Sequence, residues 1–141
     1  MPVRKANAQW QGDLKSGKGD MKLQSGAYEG QFSFKTRFEE GNGTNPEELV
    51  GAAHAGCFSM QFSAMLAEAG HTPDSIQTEA KVHFSIDGTP TIEKIELITR
   101  GRVPGMDEAE FKKTAEEAKK ACPVSRLYTG AEIVLDAALD S

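Results

Sequence analysis

Two cysteines are the residues of this 141-residue chain whose chemistry is most informative. Cys57 lies in NPEELVGAAHAGCFSM, and Cys122 follows 65 residues later in KKACPVS. Free cysteine is among the most buried residue types, so each thiol taken alone is most simply a packed core residue. An apolar environment also raises a thiol pKa, so a reactive Cys57 requires a cation that stabilises its thiolate.

The order in which the two thiols would react follows from their helices. Cys122 is placed at the C-terminal end of a helix, where the macrodipole disfavours an anion. If the pair is functional, we expect Cys57 to attack and Cys122 to follow. The Cys-Pro-x-Ser pattern at Cys122 is typical of redox sites only at a helix N-terminus, so we set that interpretation aside.

Arg37 and Glu47 are the charged residues that fit this chemistry. Arg37 is expected on the polar face of a strand, where an arginine usually meets solvent. A buried thiolate needs a cation, and an arginine held near apolar residues needs a carboxylate to orient it. Together with Cys57, the two residues indicate a thiolate site.

The spacing of Glu47 and Cys57 indicates a dimer. Ten residues separate them, about 15 Å along a straight helix, so Glu47 is poorly placed to organise a site around its own Cys57. Two antiparallel copies of the helix would bring Glu47 of one chain beside Cys57 of the other. We therefore expect a homodimer whose sites are built from both subunits.

The three histidines do not indicate a metal site. His54 lies three residues before Cys57, on a neighbouring face of the same helix, and is either a base for the thiol or a packed core histidine. No Cys-x-x-Cys or His-x-x-x-His spacing is present, so we expect neither a metal nor a cofactor. The glycines of SGKGD are not followed by the Gly-Lys-Ser/Thr ending that a phosphate-binding loop requires.

Composition restricts the class of protein. Hydrophobic residues make up 38% and charged residues 26%, which is typical of a globular chain. The net charge of −5 lacks the basic footprint of a nucleic-acid-binding protein. We expect no membrane span, because no apolar run approaches the roughly 18 residues that one needs, and no secretory signal. Two cysteines are too few for a secreted disulfide framework, so we expect a soluble cytoplasmic protein.

The hydrophobic pattern predicts one α+β domain, residues 1–141, with the order β-β-β-α-β-β-α-β and no β-α-β alternation. The first helix starts at an Asn45 capping box completed by Glu48 and ends near Ala69 before Gly70. It is apolar nearly all round, so we expect it to be buried centrally. The elements expected besides it are strands in 3–11, at Met21–Leu23, 31–38, 75–87, 91–103 and 131–139, and a helix in 106–122.

Two of these elements carry candidate site or core residues. The third strand, QFSFKTRF, is expected to place Phe32, Phe34 and Phe38 on the face opposite Arg37. The second helix is expected to be capped by Asp107, with Glu110 completing the box. Its narrow buried stripe is formed by Phe111, Ala115, Ala118 and Cys122.

The sequence resembles the OsmC/Ohr family of osmotically induced and organic-hydroperoxide-resistance proteins, most closely its OsmC branch. The resemblance runs from Ala8 to Ser125, and its segments are AQWQGDLKSGKG, FKTRFEE, GTNPEELVGAAHAGCFSM and KKACPVS. It implies an intertwined homodimer in which two central helices are wrapped by curved antiparallel sheets. It also implies a thiol peroxidase that reduces organic hydroperoxides, and hydrogen peroxide less well.

The resemblance also implies roles for four residues. Cys57 corresponds to the peroxidatic cysteine and Cys122 to the cysteine that resolves it as a disulfide. Arg37 corresponds to the catalytic arginine and Glu47 to its carboxylate partner. The reductant that it suggests is a dithiol such as a dihydrolipoyl group. Phe38, Phe58 and Met60 are candidates for the substrate pocket or for the core.

Two other functions stay open at this stage. A general dithiol-disulfide oxidoreductase acting on proteins would need an exposed nucleophile, whereas Cys57 lies in the most apolar helix of the chain. A non-catalytic dimeric binding module of the stress response would use both cysteines only for packing. Treatment of the thiols with a stoichiometric organic hydroperoxide separates these possibilities.

Overall fold

The structure, a computed structural model, describes residues 1–140 and divides into two compact units, Met1–Leu49 and Val50–Ser141. Its α+β class agrees with the prediction, and two short helices add to the predicted order. The elements are β1 (Ala6–Gln11), β2 (Lys18–Leu23), β3 (Glu29–Phe32), α1 (Phe34–Phe38), α2 (Pro46–Glu68), β4 (Ser75–Ser85), β5 (Thr91–Arg102), α3 (Glu108–Ala121), α4 (Pro123–Leu127) and β6 (Glu132–Leu139).

The first unit contains the antiparallel sheet β1-β2-β3. Trp10 on β1 pairs with Gly19 on β2, which in turn pairs with Phe32 on β3. The Trp10 and Phe32 rings lie across Gly19 with their centroids 5.3 Å apart. A Cβ at Gly19 would approach both rings to 2.7 Å, so the glycine permits this aromatic contact.

The prediction that the third strand continues to residue 38 is wrong, because β3 ends at Phe32 and α1 follows. Ser33 Oγ accepts a hydrogen bond from the Thr36 amide, and Thr36 Oγ1 accepts one from the Ser33 amide. This reciprocal capping box starts a helix, because the two hydroxyls bond backbone amides that would otherwise pair with a neighbouring strand. Phe34 and Phe38 then stack one turn apart, with centroids at 4.8 Å. Arg37 consequently projects from a helix and not from a strand.

The start of α2 agrees with the predicted cap, except for one contact. Asn45 Oδ1 accepts from the Glu48 amide at 2.7 Å, as expected of an N-cap. The Glu48 carboxylate bonds instead to Thr44 Oγ1 at 3.1 Å. Before the cap, Gly43 has a φ of 141°, and a Cβ there would lie 2.5 Å from the Gln31 carbonyl oxygen, so the turn requires glycine.

The second unit contains the sheet β4-β5-β6. The predicted β4–β5 hairpin is antiparallel, but β6 pairs with β5 in parallel. A parallel pair needs a crossover connection, which α3 and α4 supply. The predicted order has no β-α-β alternation, and the structure contains one such connection, from β5 through α3 and α4 to β6. The antiparallel pairing that the resemblance implies holds for β4 and β5 but not for β5 and β6. Sequence periodicity finds strands, whereas their direction depends on how they pair.

The core of the second unit joins α2, β5 and α3. Asp107 caps α3 by accepting from the Glu110 amide, as predicted, but within residues 1–140 no return bond from the Glu110 side chain completes the predicted box. The predicted stripe of α3 is fully buried, and α2 contributes three side chains that are equally inaccessible. These core residues are Phe58, Phe62, Leu66, Ile95, Leu97, Phe111, Ala115, Ala118 and Cys122.

The helix α2 is less buried than its composition predicts. Its most apolar 18-residue window has a mean hydropathy of 1.2, and only 28% of that window is buried. By length and composition alone it meets the test for a membrane span, contrary to the expectation that no segment would. The core helix of a soluble protein meets the same test. One face is exposed, and it carries Ala52, Ala53, Gly56, Met60, Ala64 and Ala67.

Candidate active site

The two cysteines meet in the second unit. Their sulfur atoms lie 3.0 Å apart, and both are free thiols. Cys57 is partly buried on α2, and Cys122 is completely buried at the end of α3. A disulfide bond has a sulfur–sulfur distance of about 2.05 Å, so a shift of about 1 Å would join the two sulfurs.

The surroundings of Cys122 differ from those that its position after α3 predicts. Cys122 ends α3 and also precedes Pro123, the first residue of the short helix α4. Proline is favoured at the first helical position because its missing N–H has no partner there in any case. The rejection of a helix start at Cys-Pro-x-Ser is therefore wrong. Cys122 is at the end of one helix and at the start of another.

The pKa of the Cys57 thiol is raised above its ordinary value. Burial is the largest cause, and the hydrogen bond with Cys122 adds to it. A hydrogen bond from the Val124 backbone N–H to the Cys57 sulfur acts in the opposite direction. The second unit by itself thus keeps Cys57 protonated, although α4 supplies one donor to its thiolate.

His54 is completely buried one turn before Cys57. Its Nε2 lies 2.7 Å from Ser125 Oγ on α4, and its ring meets Tyr128 edge-on with centroids 5.3 Å apart. Burial lowers the pKa of His54, so the neutral imidazole is favoured. Nδ1 has no hydrogen-bond partner among residues 1–140. Of the two interpretations from sequence, the structure favours a packed, hydrogen-bonded core histidine.

Arg37 and Glu47 form an ion pair in the first unit. Arg37 Nε lies 2.9 Å from Glu47 Oε1, and Nη2 lies 3.2 Å from Oε2, so both carboxylate oxygens are engaged. The Arg37 side chain is 36% exposed and that of Glu47 only 11%. Asn45 Nδ2 also donates to the Thr36 carbonyl at 3.1 Å and thereby ties the end of α1 to the start of α2. The two-point contact fixes the plane of the guanidinium.

An apolar cavity adjoins Arg37. Its volume is about 260 Å³, and aromatic side chains form most of its wall. The residues that line it are Trp10, Leu14, Phe32, Ser33, Phe34, Arg37 and Phe38. Of the three pocket candidates from sequence, only Phe38 lies here, whereas Phe58 is a core residue and Met60 is 79% exposed.

The four predicted catalytic residues thus occur as two pairs, one in each unit. Sequence reasoning missed three contributors: the Val124 amide, the Ser125 hydroxyl and the Tyr128 ring. The signal for the first two was the helix-start character of CPVS. Tyr128 carried no such signal. Among residues 1–140, no group of three His, Cys, Asp or Glu side chains is arranged to hold a metal ion.

Two free thiols whose sulfurs lie 3.0 Å apart in an α+β fold are the arrangement expected of a dithiol redox protein, because they can be oxidised to a disulfide and reduced again. Residues 39–136 match the family model described as OsmC-like protein. The chain is 49% identical over 140 residues to peroxiredoxin OsmC of Escherichia coli K12, covering 98% of this chain and 97% of that protein. The chain therefore belongs to the OsmC family.

More distant relatives agree with this assignment. An organic hydroperoxide resistance protein of Xanthomonas axonopodis pv. citri is 34% identical over 96 residues, covering 64% of this chain and 63% of that protein. The crystal structure of such a protein from Elizabethkingia anophelis is 23% identical, covers 99% of both chains and has a TM-score of 0.77. OhrB of Bacillus subtilis is 21% identical, covers 94% of this chain and 97% of its own, and has a TM-score of 0.76. These two structures share the fold.

Proposed function

We propose that this protein is a thiol-dependent peroxidase that reduces organic hydroperoxides, and hydrogen peroxide less well. The observation that carries the proposal is the pair of free thiols, Cys57 and Cys122, with their sulfurs 3.0 Å apart. The relative with 49% identity is named a peroxiredoxin, and another relative is named for organic hydroperoxide resistance. The thiol pair and the names of the related proteins thus support the same activity.

The first step oxidises Cys57. Its thiolate attacks one oxygen of the hydroperoxide ROOH, the O–O bond breaks, and the products are Cys57 sulfenic acid and the alcohol ROH after proton uptake. The thiolate is the reacting form, and burial raises the pKa of Cys57. The Val124 N–H opposes that rise, but a positive charge is the stronger stabiliser.

The second and third steps restore the thiols. The Cys122 sulfur attacks the Cys57 sulfenic acid, water leaves, and a Cys57–Cys122 disulfide forms. A reduced dithiol, for which the dihydrolipoyl group is our candidate, then exchanges with this disulfide and becomes oxidised itself. Both protein thiols are regenerated. No metal or cofactor enters this scheme.

Arg37 is the cation in the proposed reaction, and Glu47 is the residue that orients it. A guanidinium stabilises both the thiolate and the negative charge that develops on the leaving oxygen. Glu47 holds Arg37 at two points, 2.9 and 3.2 Å, which fixes the orientation of the guanidinium plane. The Glu47 side chain is only 11% exposed, so its orientation is well restrained.

The protein is proposed to be a homodimer that shares its sites. Its long apolar helix α2 is exposed along one face, with Met60 as the largest side chain there, and a second copy of this face would cover it. Glu47 and Cys57 are ten helical residues apart, about 15 Å. Antiparallel α2 helices would therefore bring the partner's Arg37–Glu47 pair to Cys57.

Mixed dimers test the shared site. Arg37→Ala and Cys57→Ser each inactivate both sites of a homodimer. After subunit exchange, a mixed dimer has one Cys57 that faces an intact partner Arg37, so an equal mixture regains about a quarter of parental activity. If Arg37 serves the cysteine of its own chain, the mixture stays as inactive as its two components.

The cavity beside Arg37 supports an organic substrate. Its walls are largely aromatic, and at about 260 Å³ it is smaller than a typical drug-sized pocket. Burial of the organic group adds binding energy that hydrogen peroxide cannot supply, at roughly 25 cal/mol per Å². Trp10→Ala should lower kcat/KM for cumene hydroperoxide more than for hydrogen peroxide.

Thiol titration tests the proposed activity directly. One equivalent of cumene hydroperoxide should consume both thiols and give a disulfide within one chain, seen as a mass loss and a Cys57–Cys122 peptide. Untouched thiols would contradict a peroxidase and leave the non-catalytic module. Oxidation only by protein disulfides would instead favour a general dithiol-disulfide oxidoreductase.

A cytoplasmic location and a single domain over residues 1–141 belong to the same proposal. Ser141 lies outside the described residues.

A further inference from the structure

Three contacts join α2 to α4 in register. The Tyr128 hydroxyl donates to the Val50 carbonyl at 3.3 Å, and His54 Nε2 lies 2.7 Å from Ser125 Oγ. The two cysteine sulfurs form the third contact, at 3.0 Å. Positions 50, 54 and 57 of α2 thus meet positions 128, 125 and 122 in reverse order. We call these three contacts the α2–α4 ladder.

The middle contact of the ladder is a buried polar pair in apolar surroundings. His54 is 0% exposed and Ser125 is 5% exposed. His54 Nδ1 has no hydrogen-bond partner within residues 1–140, and a buried polar atom without a partner is destabilising. An apolar side chain of similar size would avoid this cost. A histidine at position 54 is therefore better explained by its hydrogen bond to Ser125 than by packing alone.

Residues of α4 and its N-terminal cap are placed to affect both the ionisation of Cys57 and its reaction with Cys122. Val124, next to Ser125, gives its N–H to the Cys57 sulfur, and Cys122 begins the same short helix. A rotation of α4 on α2 would move the thiolate donor and the resolving sulfur together. Apart from the contacts of the Cys57 sulfur itself, the His54–Ser125 hydrogen bond lies nearer in sequence to both cysteines than the other hydrogen bond of the ladder.

On the basis of the proposed peroxidase function, we propose that His54 is a positioning residue. Through Ser125 it fixes α4 so that the Val124 N–H and the Cys122 sulfur both face Cys57. Its principal effect is on the condensation of Cys57 sulfenic acid with Cys122, in which water leaves as the disulfide forms. It touches neither the substrate nor a reacting sulfur in this role.

The test measures the condensation step in variants of the full chain. His54→Phe keeps a ring beside Tyr128 but lacks the hydrogen bond to Ser125. After a pulse of cumene hydroperoxide, its sulfenic acid should disappear about ten- to a hundredfold more slowly, as expected for a misplaced reacting group. Dimedone should capture correspondingly more Cys57, and excess hydroperoxide should give more sulfinic acid.

Two variants at the same position give the rescue and its control. The glutamine side chain of His54→Gln reaches as far as the imidazole Nε2 and should restore most of the condensation rate. The shorter amide of His54→Asn reaches only as far as Nδ1 and should not. Equal rates in the two variants would contradict a contact directed at Ser125.

A second set of variants separates an effect of lowered stability from an effect of a displaced α4. Ser125→Ala should slow condensation as His54→Phe does. The double variant His54→Phe/Ser125→Ala leaves no unpaired polar atom from this pair, so it should regain stability relative to the single variants while condensation stays slow. Recovery of the condensation rate together with the melting temperature would show a purely structural role.

Ser59 provides a matched control on the same helix. Its hydroxyl donates to Thr78 Oγ1 at 2.7 Å, so Ser59→Ala also removes a short hydroxyl bond from α2 but none to α4. Condensation in Ser59→Ala should match the parent. A parental rate in His54→Phe, or an equal loss in Ser59→Ala, would overturn the proposal.

A peroxide-free measurement distinguishes this inference from the proposed activity. With glutathione disulfide, the Cys57 thiolate forms a mixed disulfide and releases one glutathione, and Cys122 then displaces the second. The effective concentration of Cys122 at Cys57 should fall at least tenfold in His54→Phe. If the parent does not react with hydroperoxide but the effective concentration still falls in His54→Phe, the peroxidase proposal fails and the positioning role stands. If the parent reduces hydroperoxide and no fall occurs, the positioning role fails.

Discussion

The unit Val50–Ser141 holds its thiols in an apolar interior, whereas the unit Met1–Leu49 holds its ion pair beside a cavity. Cys122 is fully buried, but the Arg37 side chain is 36% exposed. Burial in the second unit raises the pKa of the Cys57 thiol. The nucleophile is thus sheltered by one unit, and the charge that would activate it is oriented by the other.

The proposed mechanism uses both environments, because each one lacks what the other supplies. An apolar interior excludes water from the sulfenic acid and keeps the resolving thiol close, but it disfavours the thiolate. An ion pair near the surface keeps its charge at little cost, but it has no nucleophile. Altering each unit separately should therefore affect different steps of the reaction.

The largest expected effect comes from the thiol unit. Cys122→Ser should abolish steady-state turnover with a dithiol reductant, because no disulfide can form, while a single oxidation of Cys57 still takes place. Stopped-flow measurement of one turnover beside a steady-state assay checks both parts. Normal steady-state activity in this variant would remove Cys122 as the resolving thiol.

The ion-pair unit should control the first oxidation. Arg37→Ala is expected to slow it by roughly 10²–10³-fold, the loss typical of one preorganised charge-stabilising group. The control is Arg100→Ala, which removes another arginine paired with a carboxylate, Asp136, on the sheet of the thiol unit. Equal oxidation rates in Arg37→Ala and the parent would exclude Arg37 from the mechanism.

The pH dependence of the first oxidation should report which unit sets the thiolate population. The rate rises with pH until the pKa of Cys57 is passed, because only the thiolate reacts. Removing Arg37 should shift the midpoint of this profile to higher pH, since burial and Cys122 both raise the pKa of Cys57. Absorbance of the thiolate at 240 nm gives the same midpoint independently. An unchanged midpoint in Arg37→Ala would mean that the cation does not act on the sulfur.

His54 gives the thiol unit a second, weaker pH dependence, in its stability. Burial lowers the pKa of His54 in the folded state, so below its unfolded pKa of about 6.5 the unfolded chain binds the extra proton. Stability is then lost as the pH falls below about 6.5. Urea unfolding at pH 7.5 and 5.5 should show a larger loss for the parent than for His54→Gln. An identical loss in both would assign the acid sensitivity to other groups.

The smallest effect is expected from the helix caps. Ser33→Ala removes the capping box of α1 and Asp107→Ala the cap of α3, each at a cost of about 1 kcal/mol. Because α1 carries Arg37, only Ser33→Ala should also slow the first oxidation, by a few fold. Thermal unfolding beside stopped-flow oxidation measures the two quantities. A similar slowing in both variants would make it a consequence of lowered stability.

The elements that sequence predicted correctly depend on local patterns. Asn45 and Asp107 cap their helices as expected, and Phe111, Ala115 and Ala118 are buried along one stripe. Residues three and four apart on a helix share a face whatever the rest of the chain does. Such patterns can therefore be recognised without knowledge of the fold.

The errors arose where two local patterns compete. The alternation of Phe32, Phe34 and Phe38 suits a strand, but Phe34 and Phe38 are also one helical turn apart. The capping hydrogen bonds of the Ser33 and Thr36 hydroxyls stabilise the helix instead. In CPVS the end of α3 obscured the start of α4, because a single residue, Cys122, belongs to both.

The sequence by itself determined the α+β class of the fold, the starts of the long helices, the buried face of α3, and the residues that could carry thiol chemistry. These depend on residue type and on spacing within one element. Only the tertiary structure decided that β6 lies parallel to β5, that the two sulfurs meet across 65 residues, and that His54 meets Ser125 across 71. Contacts at such separations depend on how the elements pack, and no local pattern encodes that packing.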